Sequence, residues 1–189
     1  AGAYATDKYV VFGSDDGTGE SDSASAVLYS VNPLNGAVIS KITGLKGDIR
    51  SSITYQDGYV YFTTKGGMLY RVAIDENGTL GEVKSFDMGY MGTGTPVISD
   101  GVVFVSRSGK GVDQFNCIGA AYAIDAKTMG KIAEVEIDGY IQSSMLLTTA
   151  YKESDKALYL YATYNKKPGG MLVIKYDLEK KTLSKEALY

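Results

Sequence analysis

Leu28-Tyr29-Ser30-Val31-Asn32, followed by Asn35-Gly36, is the phrase that decides how this chain folds, because it is written four times. It returns as Leu69-Tyr70-Arg71-Val72 with Asp75-Glu76-Asn77-Gly78, as Ala121-Tyr122-Ala123-Ile124-Asp125 with Gly130, and as Val173-Ile174-Lys175-Tyr176-Asp177. The register positions Tyr29, Tyr70, Tyr122 and Ile174 stand 41, 52 and 52 residues apart. Periods of this size belong to stacked repeat units, propeller blades among them, rather than to one irregular core.

Outward from each phrase the pattern is the same. Short β-rich runs alternate with Gly, Asn and Asp turns, and no long segment of helical period interrupts them. In the third unit Pro96-Val97-Ile98-Ser99 reaches Asp100-Gly101 and returns through Val102 to Ser106. Asp-Gly between apolar runs predicts a tight hairpin, since a type I′ turn needs positive φ at both central residues. Asp57-Gly58 repeats that signal in the second unit. In the fourth unit the first turn is stretched by Lys152-Glu153-Ser154-Asp155-Lys156. The expected fold is therefore all-β: four antiparallel meanders of four strands, packed as β-propeller blades over residues 1–45, 46–88, 89–138 and 139–189 of one domain.

Composition removes several function classes. The sequence contains no His, so the commonest general base and metal ligand is missing and no Ser-His-Asp or Cys-His arrangement can be built from it. The single Cys117 can form neither an internal disulfide nor a thiolate zinc site, and it reads as a small packed apolar residue. Net charge is −3 with Lys and Arg scattered, so the basic stripe expected of a nucleic-acid binder is absent. No stretch approaches the roughly 20 apolar residues that span a bilayer. Richness in Tyr, Gly, Ser, Thr and Asn beside one Cys suggests an extracellular or cell-surface protein, with no signal segment within this chain.

Ala121-Tyr122-Ala123-Ile124-Asp125-Ala126-Lys127-Thr128-Met129-Gly130-Lys131 resembles the Leu-Tyr-Ala-Ile-Asp-x-x-Thr-Gly signature of propellers related to quinoprotein alcohol dehydrogenases, with one residue inserted. Leu28 to Val38 is similar, with Asn32 in place of Asp. The resemblance spans essentially the whole chain and implies the fold. It also implies a Trp docked between blades just after the Gly turn, where this sequence has Ile39, Leu80, Ile132 and Leu183. The quinone-dependent enzymes of that superfamily carry a Trp floor, adjacent cysteines and a calcium site. With no Trp and one Cys, this chain is identified as a non-catalytic member and pyrroloquinoline quinone (PQQ) is not expected. Such propellers close at seven or eight blades, so four units imply part of a longer propeller, or half of an eight-bladed ring completed by a homodimer, ahead of closure as a small four-bladed ring.

Propeller topology gathers two sets of connections on one face, and binding residues favour loops held by rigid scaffolds. Arg50, Tyr90, Tyr140 and Gln142 stand where innermost strands begin on that face and are candidates to line a channel mouth, or simply to solvate or plug it. The loop Ser14 to Asp22 is the densest cluster of carboxylates, which makes Asp15, Asp16, Glu20 and Asp22 calcium candidates, though their spacing departs from an EF-hand loop. Asp75, Asp125 and Asp177 recur at one place in the repeat and read as caps of turn amides. The leading expectation is a non-enzymatic binding or scaffold module presenting loops to a protein or carbohydrate partner. The alternatives are a lyase or hydrolase using Tyr, Arg and carboxylates, and a structural spacer.

Overall fold

The computed structural model of the chain describes residues 2–15, 26–111, 113 and 116–188. Among the described residues sixteen strands form four antiparallel sheets in which spatial order follows chain order. The first sheet holds β1 (Tyr4–Ala5), β2 (Val10–Gly13), β3 (Ala26–Val31) and β4 (Val38–Leu45). The second holds β5 (Thr54–Gln56), β6 (Tyr59–Thr63), β7 (Met68–Ile74) and β8 (Leu80–Asp87). The third comprises β9 (Val97–Ser99), β10 (Val102–Gly111), β11 (Cys117–Asp125) and β12 (Lys131–Asp138). The fourth comprises β13 (Leu146–Thr148), β14 (Ala157–Tyr164), β15 (Gly170–Asp177) and β16 (Thr182–Leu188). These four meanders are propeller-type blades. They fall into two compact units, Ala1–Pro96 with the first two sheets and Val97–Tyr189 with the last two. Among the described residues no helix is long and apolar enough to cross a membrane.

The turn chemistry follows the sequence closely. Asp57 and Gly58 have φ of 51° and 81°, and Asp100 and Gly101 have 52° and 72°, the paired positive values that a two-residue hairpin turn requires. The recurring acids cap the outer turns. Asp75 Oδ1 accepts from the amides of Asn77 (2.9 Å) and Thr79 (2.8 Å). Asp125 Oδ1 accepts from Lys127 (3.0 Å) and Thr128 (2.7 Å), and Asp177 Oδ1 from Glu179 (3.0 Å) and Lys180 (2.8 Å). These amide donors hold all three carboxyls below the ordinary carboxylate range. The residue inserted before Gly130 also has a conformational consequence. Met129 occupies the left-handed position, φ 61°, that Gly36 fills with φ 71° in the first sheet.

Each unit buries one sheet against another. In the first, Val11, Ala26 and Leu28 of the first sheet join Val60, Phe62, Tyr70 and Val72 of the second in one cluster. Phe62 and Tyr70 stack at 5.4 Å and 27°. In the second, Phe104, Ala121 and Ala123 of the third sheet join Leu158, Leu160, Leu172, Ile174 and Tyr176 of the fourth. The small Ala121 and Ala123 leave room for these large partners, as close packing requires, and Phe104 meets Tyr176 edge to face at 5.2 Å. Each large apolar side chain buried this way contributes about 1.5–3 kcal/mol.

Three details differ from the sequence reading. Of the aliphatic residues expected to dock between blades, Leu80 is buried and Ile132 and Leu183 pack against the second unit's core, but Ile39 is exposed. Ser30 pairs Ser40 and Val31 pairs Val38, so Ile39 lies at a register shift. Ile132 lies at the same shift, between the pairs Ala123–Ala133 and Ile124–Lys131, yet packs on the second unit's core, so the bulge is not what exposes Ile39. The polar stretch after Tyr151 is not a plain turn but one helical turn, α1 (Lys152–Asp155), closed by Lys156 at φ 50°. The β10–β11 hairpin also runs past Ser106 to Gly111, with a register shift between Arg107 and Lys110.

Candidate functional site

The residues singled out in the sequence occupy different settings. In the first unit Arg50 precedes β5 and its Nε donates to Asp15 Oδ2 at 2.6 Å. That hydrogen bond and the charge of Asp15, with a smaller contribution from Asp48, raise the Arg50 pKa. Asp48 itself is buried and ion-paired to Lys65 at 3.4 Å, and Asp48 O also accepts from the Lys65 amide at 2.9 Å. These contacts tie the connection before β5 to the β6–β7 turn. Tyr90 is 42% exposed on the connection after β8, whose Met88 amide donates to Gly67 O at 2.7 Å. Asp15 is thus brought to Arg50, and Asp16, Glu20 and Asp22 lie outside the described residues. Among the described residues no group of three His, Cys, Asp or Glu is placed to hold a metal ion.

In the second unit Tyr140 and Gln142 converge on one residue. Tyr140 has no exposed surface, and its backbone exchanges two hydrogen bonds with Asn165, at 3.2 and 2.7 Å. Gln142 Oε1 accepts from Asn165 Nδ2 at 2.9 Å. Both candidates therefore anchor the root of the β14–β15 loop. Gly139 makes the approach feasible: it adopts φ 130°, and a Cβ there would lie 2.7 Å from Asn165 O and 3.1 Å from the Tyr164 ring.

The anchored loop forms one wall of a cleft of about 450 Å³. Its apolar lining comes from Ile137 at the end of β12, Leu172 of β15, Pro168 of the loop and Ala187 of β16, with the half-buried Tyr164 beside them. Asp138, Lys166, Lys185 and Glu186 supply its charged lining. Asp138 and Lys166 are ion-paired, and the four charges sum to zero. β12 and β16 are the outermost strands of the third and fourth sheets, so the cleft opens between two sheet edges. Sequence reasoning placed Tyr140 and Gln142 on the loop-bearing face, but it missed Ile137, Leu172 and Ala187. These come from three strands and share no local signal.

Elsewhere in this unit Arg107 Nε donates to the Tyr122 hydroxyl at 2.7 Å and its NH2 group lies 3.5 Å from Glu134, which also receives Lys131 at 2.9 Å. Burial raises the Tyr122 pKa despite Arg107. Burial also pushes Glu134 upward, but hydrogen bonds from Lys131 and Tyr122 outweigh it and hold the acid low. Glu134 is thus an ionised brace along β10–β12.

No family model matches this sequence, and no curated protein matches it. Solved structures do. A quinohemoprotein alcohol dehydrogenase from Pseudomonas putida HK5 superposes on 99% of this chain at TM-score 0.65 and 16% identity, using 33% of its own length. BamB from Moraxella catarrhalis matches 96% of the chain with 49% of its own at TM-score 0.62 and 14% identity. A chain of the mitotic checkpoint complex matches 98% of this chain with 52% of its own at TM-score 0.65 and 10% identity. The chain therefore spans about a third of the dehydrogenase and about half of the other two. An enzyme, BamB and a checkpoint assembly match comparably well, so the likeness concerns architecture and not chemistry. This chain has the β-propeller fold that the quinoprotein alcohol dehydrogenases share.

Proposed function

We propose that this chain is a non-enzymatic binding module that works outside the cell, its blades holding the cleft of the second unit open to a segment of a partner protein. The cleft carries the reading. It pairs an apolar lining of Ile137, Leu172, Pro168 and Ala187 with charges of both signs, Asp138, Lys166, Lys185 and Glu186. Such a lining suits a polypeptide that presents an apolar side chain between charged ones. A carbohydrate partner is less favoured, because among the described residues Tyr164 is the one aromatic ring lining this cleft. The two outer strands beside it suit a partner lying extended along a sheet edge. The sequence supports the absence of chemistry: without His, Trp or a second Cys, neither an imidazole base nor the PQQ site of the family's enzymes can be assembled. The carboxylate of Asp15 is engaged by Arg50, and the reading includes no bound calcium.

Peptide and oligosaccharide arrays probed with the full chain test this directly. The expected result is retention on peptides that combine an apolar residue with charged neighbours, weakened at least tenfold by Lys166→Glu with an unchanged circular dichroism spectrum. Retention on oligosaccharides alone, or peptide binding indifferent to Lys166→Glu, overturns the assignment. Calcium that raises the melting temperature overturns its metal-free form.

A further inference from the structure

The repeat register identifies which sheet faces meet inside each unit. Phe12 pairs Tyr29 across β2–β3 as Phe62 pairs Tyr70 across β6–β7, so these positions correspond. The two ring pairs have nearly the same geometry, 5.5 Å and 23° against 5.4 Å and 27°. Within the first unit, the face bearing Val11 and Leu28 packs on the face bearing Phe62 and Tyr70. Leu28 corresponds to Ala121 of the third sheet, and Tyr70 to Ile174 of the fourth. Those two faces likewise pack together in the second unit. One interface type is therefore built twice: the Leu28-type face of one sheet covers the Tyr70-type face of the next.

Of the faces outside these two interfaces, the Leu69 face of the second sheet and the Tyr122 face of the third are buried, and one half of each type is left open. The first sheet presents a Tyr70-type face on which Phe12 is 37% exposed and Val10, Tyr29 and Val31 are only partly buried. The fourth sheet presents a Leu28-type face. One row of it, Leu146, Tyr161, Val173 and Ala187, runs across all four strands in register. Leu146 is 69% and Met171 38% exposed, and Tyr159, Tyr161, Met171 and Val173 line a hollow of about 330 Å³ there. Strand faces this apolar are ordinarily covered.

We propose that the open face of the fourth sheet receives the open face of the first sheet of a second copy of this chain. The occupant follows from the repeat: each copy leaves one of each half open, and the two halves have the chemistry of faces that this chain already packs together twice. Because the halves differ, the contact is heterologous, and it joins copies head to tail.

Light scattering of the full chain after size exclusion, from about 1 to about 100 µM, tests it against the micromolar range of ordinary association. The wild type is expected to rise above the mass of one chain. Phe12→Glu and Tyr161→Glu each remove one half and are expected to stay monomeric. Mixed in equal amounts, they are expected to form a one-to-one complex that cannot extend, because each retains the half the other lacks. Val10→Lys and Tyr159→Lys serve the same purpose should either first variant lose its circular dichroism signal. A wild type that stays monomeric at the highest concentration overturns the proposal. So does a mixture that fails to pair, or loss of association in Tyr161→Glu with none in Phe12→Glu, which would mean that fourth sheets pair with each other.

Discussion

Phe62 and Phe12 are one residue of the repeat met in two environments, which makes truncating each a direct measure of what blade packing contributes. Phe62 has no exposed surface and stacks on Tyr70 amid Val11, Leu28, Val60 and Val72. Removing a fully enclosed ring forfeits its transfer energy and leaves a cavity, a combined cost of about 3–5 kcal/mol for Phe→Ala. Phe12 makes the same stack on Tyr29 but is 37% exposed, and water fills whatever its removal opens. Only the partial burial is lost there, about 1 kcal/mol. With a urea m-value of about 2 kcal/mol/M, Phe62→Ala should lower the unfolding midpoint by about 1.5–2.5 M and Phe12→Ala by about 0.5 M. The 16 tyrosines give an intrinsic fluorescence signal free of Trp, and circular dichroism gives an independent one. Work at about 1 µM keeps any association of copies out of the comparison. Equal midpoint shifts for the two variants would refute the assignment of Phe62 to an enclosed face between sheets.

Gly139→Ala should loosen the β14–β15 loop, since its Cβ meets Asn165 O and the left-handed backbone adds strain of about 1–3 kcal/mol. Faster amide hydrogen exchange at Asn165 and Lys166, with exchange in β6 and β7 unchanged, checks it. Acid should destabilise the fold. Asp75, Asp125 and Asp177 titrate below their unfolded values, so their contribution is fully present above about pH 4 and is lost as pH falls through the folded values. With no His, the urea midpoint should be level from about pH 5 to 7, and Asp125→Asn should make the acid decline shallower. A decline unchanged in Asp125→Asn would remove Asp125 from this account. Cys117, buried on β11, should resist a thiol reagent until denaturant is added; immediate labelling would contradict its burial.

Turns were the most legible part of the sequence because their chemistry is local. Asp57-Gly58 and Asp100-Gly101 between apolar runs favour the paired positive φ of a tight hairpin, and Asp75 and Asp125 cap the outer turns through amides two residues on, without help from the rest of the chain. Ile39 shows where this stops. Its place after the Gly turn matches Leu80, Ile132 and Leu183, and it shares its one-residue bulge with Ile132, yet Ile132 packs on a core and Ile39 is exposed, a difference set by what packs over each bulge and not by local sequence. Among the candidate site residues, Arg50 met its partner Asp15 from 35 positions away, while Tyr140 and Gln142 proved to anchor Asn165.

By itself the sequence determined four antiparallel meanders of propeller type, because period-two patterning and turn residues act within a few positions of each other. It also excluded any chemistry that needs imidazole, a disulfide or paired thiolates, since a missing residue is missing in every conformation. Only the tertiary structure decided where a partner has room. The cleft draws Ile137, Tyr164, Leu172 and Ala187 from four strands spread over 51 positions of chain. The open faces of the first and fourth sheets carry side chains much like those of the buried faces, and what separates them is whether another sheet lies on top. Burial belongs to the packed arrangement of strands, and no residue announces it alone.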